Sequence, residues 1–554
     1  MSDGVVLRAD VFRPSAAGQY PALLMRTPYD KRAVAGIWLF AFEPLDAVRR
    51  GYVVVIQDVR GTFESDGTLR HFQDEADDGA ATVAWVSSQP WSNGLVGMFG
   101  ASYAGATQLL AATKRPQALR AIAPLITASE YHDGWIFQGG AFQLGFALIW
   151  AVGMALADAL RREERGDDVA SDKAVLESVV ADIWSEYERL PLMDLPSRVR
   201  LLRNYGEWLA HPDRDDFWRT TAIKERYESI AVPALHLAGW HDIFLKGSLE
   251  NYVGLRDHAG TPEAREGQSL IVAPWGHAIP NEYIGDIWYG QLGGPLGLSM
   301  DLHHRQYFDE LLLGDVPVDR APVRIFVMGA NQWRAEEDWP LRRAVETRMY
   351  LRAAGRLSRD APSDEEPDEF VYDPRDPVRT IGGNTLMPGG GYFLGPRDRR
   401  AMHRRPDVLT YTTEVLVDDL EVTGPLVARL HVSTSARDTD FTVALSDVYP
   451  DGRAISIADG ILRLRYREGF DRQVLAVAGE VYAIDVDLIA TSNVFKAGHR
   501  ICIEISSSNF PRFDRNPNDG GVIAEAIEAD FVVAQQRVFH DLARPSYIDL
   551  PVIP

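Results

Sequence analysis

Cysteine, long apolar runs and a leader sequence are all scarce or missing in this sequence of 554 residues. Cys502 is the sole cysteine, so no intrachain disulfide can form, and its alternating strand-like surroundings predict a buried structural thiol. No segment has about 18 uninterrupted apolar residues, so no membrane-spanning helix is expected. Residues 1–4 are followed by strand-like sequence instead of the basic and apolar regions of a signal peptide. We therefore expect a soluble, cytoplasmic protein.

Positive charge is also scarce. Lysine and arginine number 57 against 79 aspartates and glutamates, which gives a formal net charge of −22. Such a chain repels nucleic acid and anionic membranes, so neither is expected as a partner. The sequence leaves the oligomeric state open, a homodimer included.

Short apolar segments alternate with helical ones in two parts of the chain. Strands are predicted at 21–25, 52–56, 95–99, 121–126, 234–238, 270–273 and 323–328, and helices at 74–87, 106–113 and 302–313. Buried strands that alternate with helices are typical of a parallel sheet covered on both faces.

Two other segments break this pattern. Residues 130–220 contain helical runs, such as 142–160 and 173–190, and no convincing strand, which predicts a helical insertion. After about residue 339, short alternating segments between turn residues predict a β-sandwich, with a jelly roll as one form of it. The expected units are an α/β core at 1–128 and 222–338, a helical domain at 129–221 and a β domain at 339–554.

A turn of small residues, Gly100-Ala101-Ser102-Tyr103-Ala104-Gly105, joins a predicted strand to a predicted helix. This context is typical of a nucleophile elbow, which exposes the serine hydroxyl at a helix N-terminus and needs small neighbours. The second glycine comes three residues after Ser102 instead of two. A tight connection without catalytic function would use similar residues, so the interpretation depends on partners elsewhere.

A serine nucleophile needs a base and a residue that orients the base. In α/β-hydrolase folds these follow the serine as an acid and then a histidine at strand ends. Asp242 and His277 stand in that order, each just beyond a predicted strand. This spacing predicts a triad of Ser102, Asp242 and His277.

Two other histidines compete with His277 as the base, and a further pair raises the question of a metal site. His236 lies inside a predicted strand and is expected to be packed, whereas His241 adjoins Asp242 and is a second candidate for the site. His303 and His304 are adjacent, but neighbouring residues on a helix point apart and no ligand spacing completes a site. We expect no metal and no other cofactor.

The oxyanion of an acyl-transfer intermediate needs hydrogen-bond donors. By position, the backbone N–H of Tyr103 is one of them. The loop at 26–31, after the first predicted strand, offers the phenolic hydroxyl of Tyr29. From the residues alone, Tyr29 is better interpreted as a packing tyrosine.

In order along nearly the whole chain, these residues resemble those of the CocE/NonD hydrolases, the family of the bacterial cocaine esterases, which is akin to X-Pro dipeptidyl peptidases. The matching segments are 26–31, 55–61, 97–105, 238–244, 274–277, 438–441, 451–454 and 506–511. The resemblance implies an α/β-hydrolase core split by a helical cap and followed by a C-terminal jelly roll. It assigns Ser102, Asp242 and His277 as the triad, and makes Tyr29 the second oxyanion donor beside the Tyr103 amide.

The resemblance also implies an apolar pocket for an aromatic acyl group. Trp135, Trp150 and Phe244 fall at its lining positions, and Leu386 matches another within a poorly aligned loop. Packing of the cap is the alternative role of each tryptophan. Phe40 stands where the relatives have a polar residue, which argues against recognition of a tropane ester but not against ester hydrolysis.

The sequence therefore predicts a serine carboxylesterase that takes small esters with an apolar or aromatic acyl group. An α-amino-acid ester hydrolase, amidase or X-Pro dipeptidyl peptidase of the same fold is the alternative. These need carboxylates that hold the substrate ammonium, and the helical domain offers Glu130, Asp133, Glu163 and Glu164. A non-catalytic binding module, for example one whose jelly roll binds carbohydrate, is a third hypothesis, against which the triad argues.

Overall fold

The computed structural model describes residues 1–33, 43–277, 280–316, 320–387 and 394–554. Its strands up to Glu336 are β1 (Ala9–Phe12), β2 (Tyr20–Thr27), β3 (Val53–Asp58), β4 (Ser92–Ala101), β5 (Leu119–Leu125), β6 (Phe137–Gln138), β7 (Ala141–Phe142), β8 (Leu235–His241), β9 (Ser269–Gly276), β10 (Tyr283–Ile284), β11 (Ile287–Trp288), β12 (Val323–Val327) and β13 (Gln332–Glu336). The helices are α1 (Pro44–Arg49), α2 (Glu75–Ser87), α3 (Tyr103–Ala112), α4 (Leu144–Glu164), α5 (Ala170–Ala181), α6 (Ile183–Glu188), α7 (Asp194–Arg198), α8 (Arg203–Ala210), α9 (Asp216–Arg219), α10 (Leu245–His258), α11 (Pro262–Glu266) and α12 (Met300–Phe308). The later strands are β14 (Val345–Arg352), β15 (Arg356–Ser358), β16 (Asp368–Tyr372), β17 (Leu409–Thr412), β18 (Leu420–Thr434), β19 (Asp440–Val448), β20 (Ala454–Arg463), β21 (Tyr482–Phe495), β22 (Arg500–Ser506), β23 (Ala534–Phe539) and β24 (Tyr547–Ile553).

The first half of the chain builds a sheet with the strand order β1-β3-β2-β4-β5-β8-β9-β12-β13. The strands from β3 to β12 in this order are parallel, and β1 and β13 pair antiparallel at the two edges. Strand β3 is buried along its whole length, as a run of β-branched residues covered on both faces requires. The predicted α/β core is confirmed.

Successive residues of the central strands point to opposite faces of this sheet. Leu24 and Val55 pack with α2 and α3 on one face, whereas Leu23 and Val54 pack on the other face with α12. The sheet therefore lies between two apolar layers, and loops at its carboxyl edge are the positions left for chemistry.

The predictions for the helical insertion need two corrections. The run at 173–190 is not one helix: α5 ends at Ala181, and the carboxylate of Asp182 accepts the backbone N–H of Ser185 as the N-cap of α6. That cap offers the chain a new helix start within a helix-forming run. The expectation of no strand is also wrong, because β6 and β7 form a small hairpin.

The β6–β7 hairpin contacts the C-terminal part of the chain. At its tip, the carbonyl of Gly139 accepts the N–H of Arg463 at 2.8 Å. A Cβ atom on Gly139 would lie 1.8 Å from the Ile461 carbonyl oxygen, so only glycine fits there. At its end, the N–H of Phe142 donates to Asp514 at 3.1 Å.

Strands β14 to β24 form a second, β-sheet unit, with the order β16-β23-β18-β24-β14-β15-β17-β22-β19-β20 and β21 paired to β18. Its long strand β18 alternates between buried and more exposed residues from Leu426 to Val432, the period expected of a sheet with one face in a core. Cys502 lies buried on β22 as a free thiol.

Among the described residues, the helix Leu144–Glu164 is long and apolar enough to cross a membrane by length and composition. Of its most apolar window, 56% is buried against the rest of the fold, as in the core helices of many globular proteins. Length and composition are therefore weak grounds for a membrane span.

Candidate active site

Ser102 occupies the single position between the end of β4 and the start of α3. Its φ of 59° and ψ of −122° lie in a region that side chains rarely adopt, which is the strained turn of a nucleophile elbow. A Cβ atom on Gly100 would approach the Ala104 Cβ to 2.7 Å. One on Gly105 would approach the Leu125 carbonyl oxygen to 3.0 Å, so small residues are required on both sides.

Hydrogen bonds connect Ser102 to the two predicted partners. The Oγ of Ser102 lies 3.1 Å from Nε2 of His277, and Nδ1 of His277 lies 2.8 Å from Oδ2 of Asp242. Asp242 is fully buried, and its Oδ1 accepts the N–H of Phe244 at 2.6 Å. Asp242 follows β8 and His277 follows β9, and because these parallel strands are neighbours their carboxyl ends meet.

Tyr29 lies two residues beyond β2, the neighbour of β4, which places it next to the elbow. Part of the residue is exposed, but its hydroxyl lies deep in the site. Burial raises the pKa of Tyr29 to about 12, against the opposing effect of the nearby polar groups of Trp150 and Ser102. The phenol therefore stays protonated, as a donor must.

Two contacts hold the loop that carries Tyr29. The Tyr29 N–H donates to Oγ1 of Thr27 at 3.1 Å. Beyond it, the N–H and Nζ of Lys31 donate to the two carboxylate oxygens of Asp58, at 2.7 and 3.2 Å. Asp58 ends β3, so this pair fastens the loop to the adjacent strand.

An aromatic wall stands beside the triad. Trp135 stacks on Phe244 with ring centroids 3.9 Å apart, and lies 5.7 Å from the partly buried Trp150. Trp150 in turn stacks on Phe146 at 5.5 Å, a wall residue that the sequence did not single out. Leu386 is partly buried against the same core, whereas Phe40 lies outside the described residues.

A cleft of about 150 Å³ lies between α4, residues 61–71 and residues 200–205. His71 lines the cleft and meets Trp150 edge-on at 4.7 Å. Pro28, next to Tyr29, lines it as well. Ser102, Asp242 and His277 lie outside its lining, so the cleft adjoins the candidate site without containing it.

The competing histidines have other partners. Nε2 of His236 bonds to Gln268 at 2.9 Å, inside the core as expected. Nε2 of His241 bonds to the Tyr289 hydroxyl at 2.7 Å, and burial lowers the pKa of His241 to about 3. Within the described ranges, no group of three or more histidine, cysteine, aspartate or glutamate side chains forms a cation site.

Three of the four acids that could bind a substrate ammonium are paired with cationic side chains. Glu130 accepts Arg214 and Lys224, each at 2.8 Å, and Asp133 accepts Lys246 at 2.7 Å. Glu163 pairs with Lys173 at the exposed end of α4, where Glu164 is exposed as well.

Sequence reasoning missed the residues behind the elbow. Glu75 looks like an acid in the first turn of a helix, yet it is buried between Arg26 and Tyr103. The small-residue turn and the strand ends are local signals in the sequence. Glu75, in contrast, contacts Tyr103, which is 28 positions away, and Arg26, which is 49 positions away.

Comparison with known proteins gives a consistent result. Residues 3–279 match the family model described as X-Pro dipeptidyl-peptidase (S15 family), and residues 316–549 match the X-Pro dipeptidyl-peptidase C-terminal non-catalytic domain. The chain is 41% identical to a cocaine esterase of Rhodococcus sp. (strain MB1 Bresler), covering all of this chain and 97% of that protein.

Two solved structures resemble the whole chain, and each is 27% identical to it in sequence. In both cases the match covers 100% of this chain and 95% of the other chain. One is an aminopeptidase from a marine sediment Thaumarchaeota archaeon, with a TM-score of 0.83. The other is an α-amino-acid ester hydrolase, with a TM-score of 0.82.

Proposed function

The chain belongs to the S15 family of X-Pro dipeptidyl peptidases and their CocE/NonD hydrolase relatives, and on that premise we propose that it is a serine hydrolase that cleaves carboxylic esters. The observation that carries the proposal is the hydrogen-bond chain from Ser102 through His277 to Asp242, on a strained strand–helix turn. This arrangement supplies a nucleophile, a base and an orienting carboxylate. The 41% sequence identity to a cocaine esterase, which extends over the whole chain, supports an ester as the substrate.

In the first half-reaction the Ser102 oxygen attacks the ester carbonyl carbon while Nε2 of His277 takes the hydroxyl proton. Asp242 accepts the Nδ1–H of His277 and stabilises the imidazolium. The Tyr103 N–H and the Tyr29 hydroxyl donate to the tetrahedral oxyanion. Its collapse expels the alcohol, which takes the proton from His277, and leaves the acyl group on Ser102.

In the second half-reaction, water attacks the acyl carbonyl carbon and His277 takes a proton from it. The second tetrahedral intermediate collapses, the Ser102 oxygen recovers the proton, and the carboxylic acid leaves. These steps use only water and the side chains and amides of the chain, so no cofactor is part of the proposal.

The aromatic wall supports an apolar or aromatic acyl group. Phe244 contacts His277 edge-on and stacks on Trp135, which lies beside Trp150, and an aryl group inserted among these rings would gain free energy from the apolar area that it buries and from edge-to-face contact. Leu386, partly buried against the same core, belongs to the proposed lining, and the assignment of Phe40 to it stays a prediction from the sequence resemblance.

A hydrolase of α-amino-acid esters or peptides is the second candidate, in view of the names of the two similar structures. Such an enzyme needs a carboxylate free to bind the substrate ammonium. Glu130 and Asp133 already have cationic partners, and Phe244 and Leu245, just after Asp242, are apolar. These contacts favour an uncharged acyl group.

The finer architecture belongs to the same proposal. The core comprises 1–128 and 222–338, the helices of 129–221 form a cap that carries Trp135 and Trp150 over the site, and 339–554 is a jelly roll. A cytoplasmic location, a small-molecule ester as partner and a homodimer stay predictions.

The test is a hydrolysis screen of four substrates that share one leaving group: a benzoyl ester, an acetyl ester, an aminoacyl ester and a benzoyl amide. We expect the highest kcat/KM for the benzoyl ester. A higher kcat/KM for the aminoacyl ester would contradict this proposal and favour the second candidate, a hydrolase of α-amino-acid esters or peptides. Activity that survives in folded Ser102→Ala would refute the mechanism for every substrate.

A further inference from the structure

Behind the nucleophile elbow, a buried carboxylate connects two parts of the chain. Oε2 of Glu75, the first residue of α2, lies 2.6 Å from Nη1 of Arg26 near the end of β2. Its Oε1 accepts the phenolic hydroxyl of Tyr103 at 3.0 Å. The same phenolic oxygen accepts the N–H of Phe72 at 3.0 Å, so Tyr103 is fixed at the tip of its ring as well as at its backbone.

These two parts are the segments from which both proposed oxyanion donors come. Arg26 is three residues before Tyr29, and its carbonyl accepts the hydroxyl of Thr107 on α3 at 3.3 Å. Tyr103 directly follows Ser102, and by this position its N–H is the other proposed donor. Glu75 thus spans the distance between the strand that presents one donor and the turn that presents the other.

Stability alone is a poor explanation for this arrangement. Arg26 is fully buried and Glu75 is 3% exposed, and replacing a buried ion pair with apolar side chains is often neutral or stabilising. Burial raises the pKa of Glu75, and the adjacent Arg26 guanidinium opposes that rise. Burying the Glu75 charge costs free energy, but the hydrogen bonds of its carboxylate fix the positions of Arg26 and Tyr103 more strictly than apolar packing would.

We propose that Glu75 is a positioning residue of the oxyanion hole, which holds the Tyr103 amide and the Tyr29 loop at a fixed separation through Tyr103 and Arg26. The proposal rests on the proposed ester hydrolysis at Ser102. Oxyanion donors act in the transition state, and a small displacement weakens them without changing the pocket that binds the substrate.

The test compares Glu75→Gln, Tyr103→Phe and the double variant. We expect each single change to lower kcat about 10- to 100-fold, with KM within about 3-fold of the native value. The double variant should lose little more than either single variant, because both changes break one connection. Affinity for phenylboronic acid, which forms a tetrahedral adduct with a serine, should fall by the same factor as kcat.

Asp78 provides the matched control. It lies on α2, one turn after Glu75, and is a buried carboxylate paired with Arg60 at 2.6 Å instead of with Arg26 or Tyr103. Asp78→Asn should lower the melting temperature and leave kcat unchanged. Equal kcat losses in Asp78→Asn and Glu75→Gln would show that Glu75 has only a structural role and would contradict the proposal.

Two further outcomes would overturn the inference: native kcat in Tyr103→Phe, or losses that multiply in the double variant. If Glu75→Gln does not fold, Tyr103→Phe keeps the test, because it removes one hydroxyl and retains the ring. The Glu75 and Tyr103 variants test only the positioning role, whereas the activity of Ser102→Ala tests the proposed function, so the two hypotheses can fail independently.

Discussion

The ring of Phe244 meets the imidazole of His277 edge-on, with centroids 5.0 Å apart and planes at 88°. The backbone N–H of Phe244 also donates to Asp242. One residue therefore hydrogen-bonds the carboxylate of the proposed triad, contacts the proposed base and forms part of the aromatic wall. If the proposed function is correct, substitutions in the aromatic wall should change kcat as well as KM.

Ser102→Ala and Ser102→Gly separate the chemistry of the elbow from its strain. Both should lower kcat by about four orders of magnitude or more, because each removes the covalent nucleophile. Alanine keeps the strained φ of 59° and should melt like the native protein. Glycine relieves about 1–3 kcal/mol of strain, partly offset by its larger unfolded-state entropy, and should raise the melting temperature. Steady-state kinetics and thermal melts measure both.

Tyr29→Phe retains the ring and removes one donor. We expect kcat to fall about 100- to 1000-fold, with little change in KM. Tyr131→Phe is the control: it removes a buried hydroxyl that has no hydrogen-bond partner among the described residues. A near-native kcat in Tyr29→Phe would remove Tyr29 from the mechanism.

The raised pKa of Tyr29 gives a prediction for alkaline pH. A phenol with an ordinary pKa near 10 would be half ionised at about pH 10 and would stop donating. Because burial raises the pKa of Tyr29 to about 12, the donor persists, and kcat should stay level past the ordinary phenol pKa. The measurement is kcat against pH for the native enzyme and Tyr29→Phe. A fall near the ordinary value in the native enzyme alone would contradict the prediction.

Trp150→Ala should impair a benzoyl ester more than an acetyl ester. Loss of the ring removes about 1–3 kcal/mol of aryl contact, or roughly 5- to 150-fold in kcat/KM. Trp135→Ala should show the same selectivity with a larger loss of stability, because Trp135 is 1% exposed. Trp208 is the control, since it stacks on Trp150 at 5.3 Å. Trp208→Ala should affect both esters alike, and equal losses in all three variants would indicate cap packing only.

Cys502 should be inert in the folded protein. Burial raises its pKa to about 12, so the reactive thiolate is rare at neutral pH. An aromatic disulfide reagent should detect no thiol in the native protein and one per chain after denaturation. Rapid labelling of native protein would show that β22 opens.

The elbow could be predicted from sequence because its signal is local: small residues around Ser102 between a strand and a helix. Asp242 and His277 follow from the order of strand ends. Glu75 could not be predicted, because its role depends on which strands are neighbours and on which way a helix faces. The end of α5 near Asp182 was missed because a single capping residue competes with a continuous helical pattern.

The hairpin contact at Gly139 connects the aromatic wall to the C-terminal domain, whose family model is described as non-catalytic. The segment from Trp135 to Phe142 runs from the aromatic wall to the bonds with Arg463 and Asp514. A chain truncated before β14 would keep every triad residue and lose the anchor of that segment. We expect such a fragment to retain the proposed catalytic groups but to lose the contacts that fix Trp135, and with it the shape of the proposed acyl pocket.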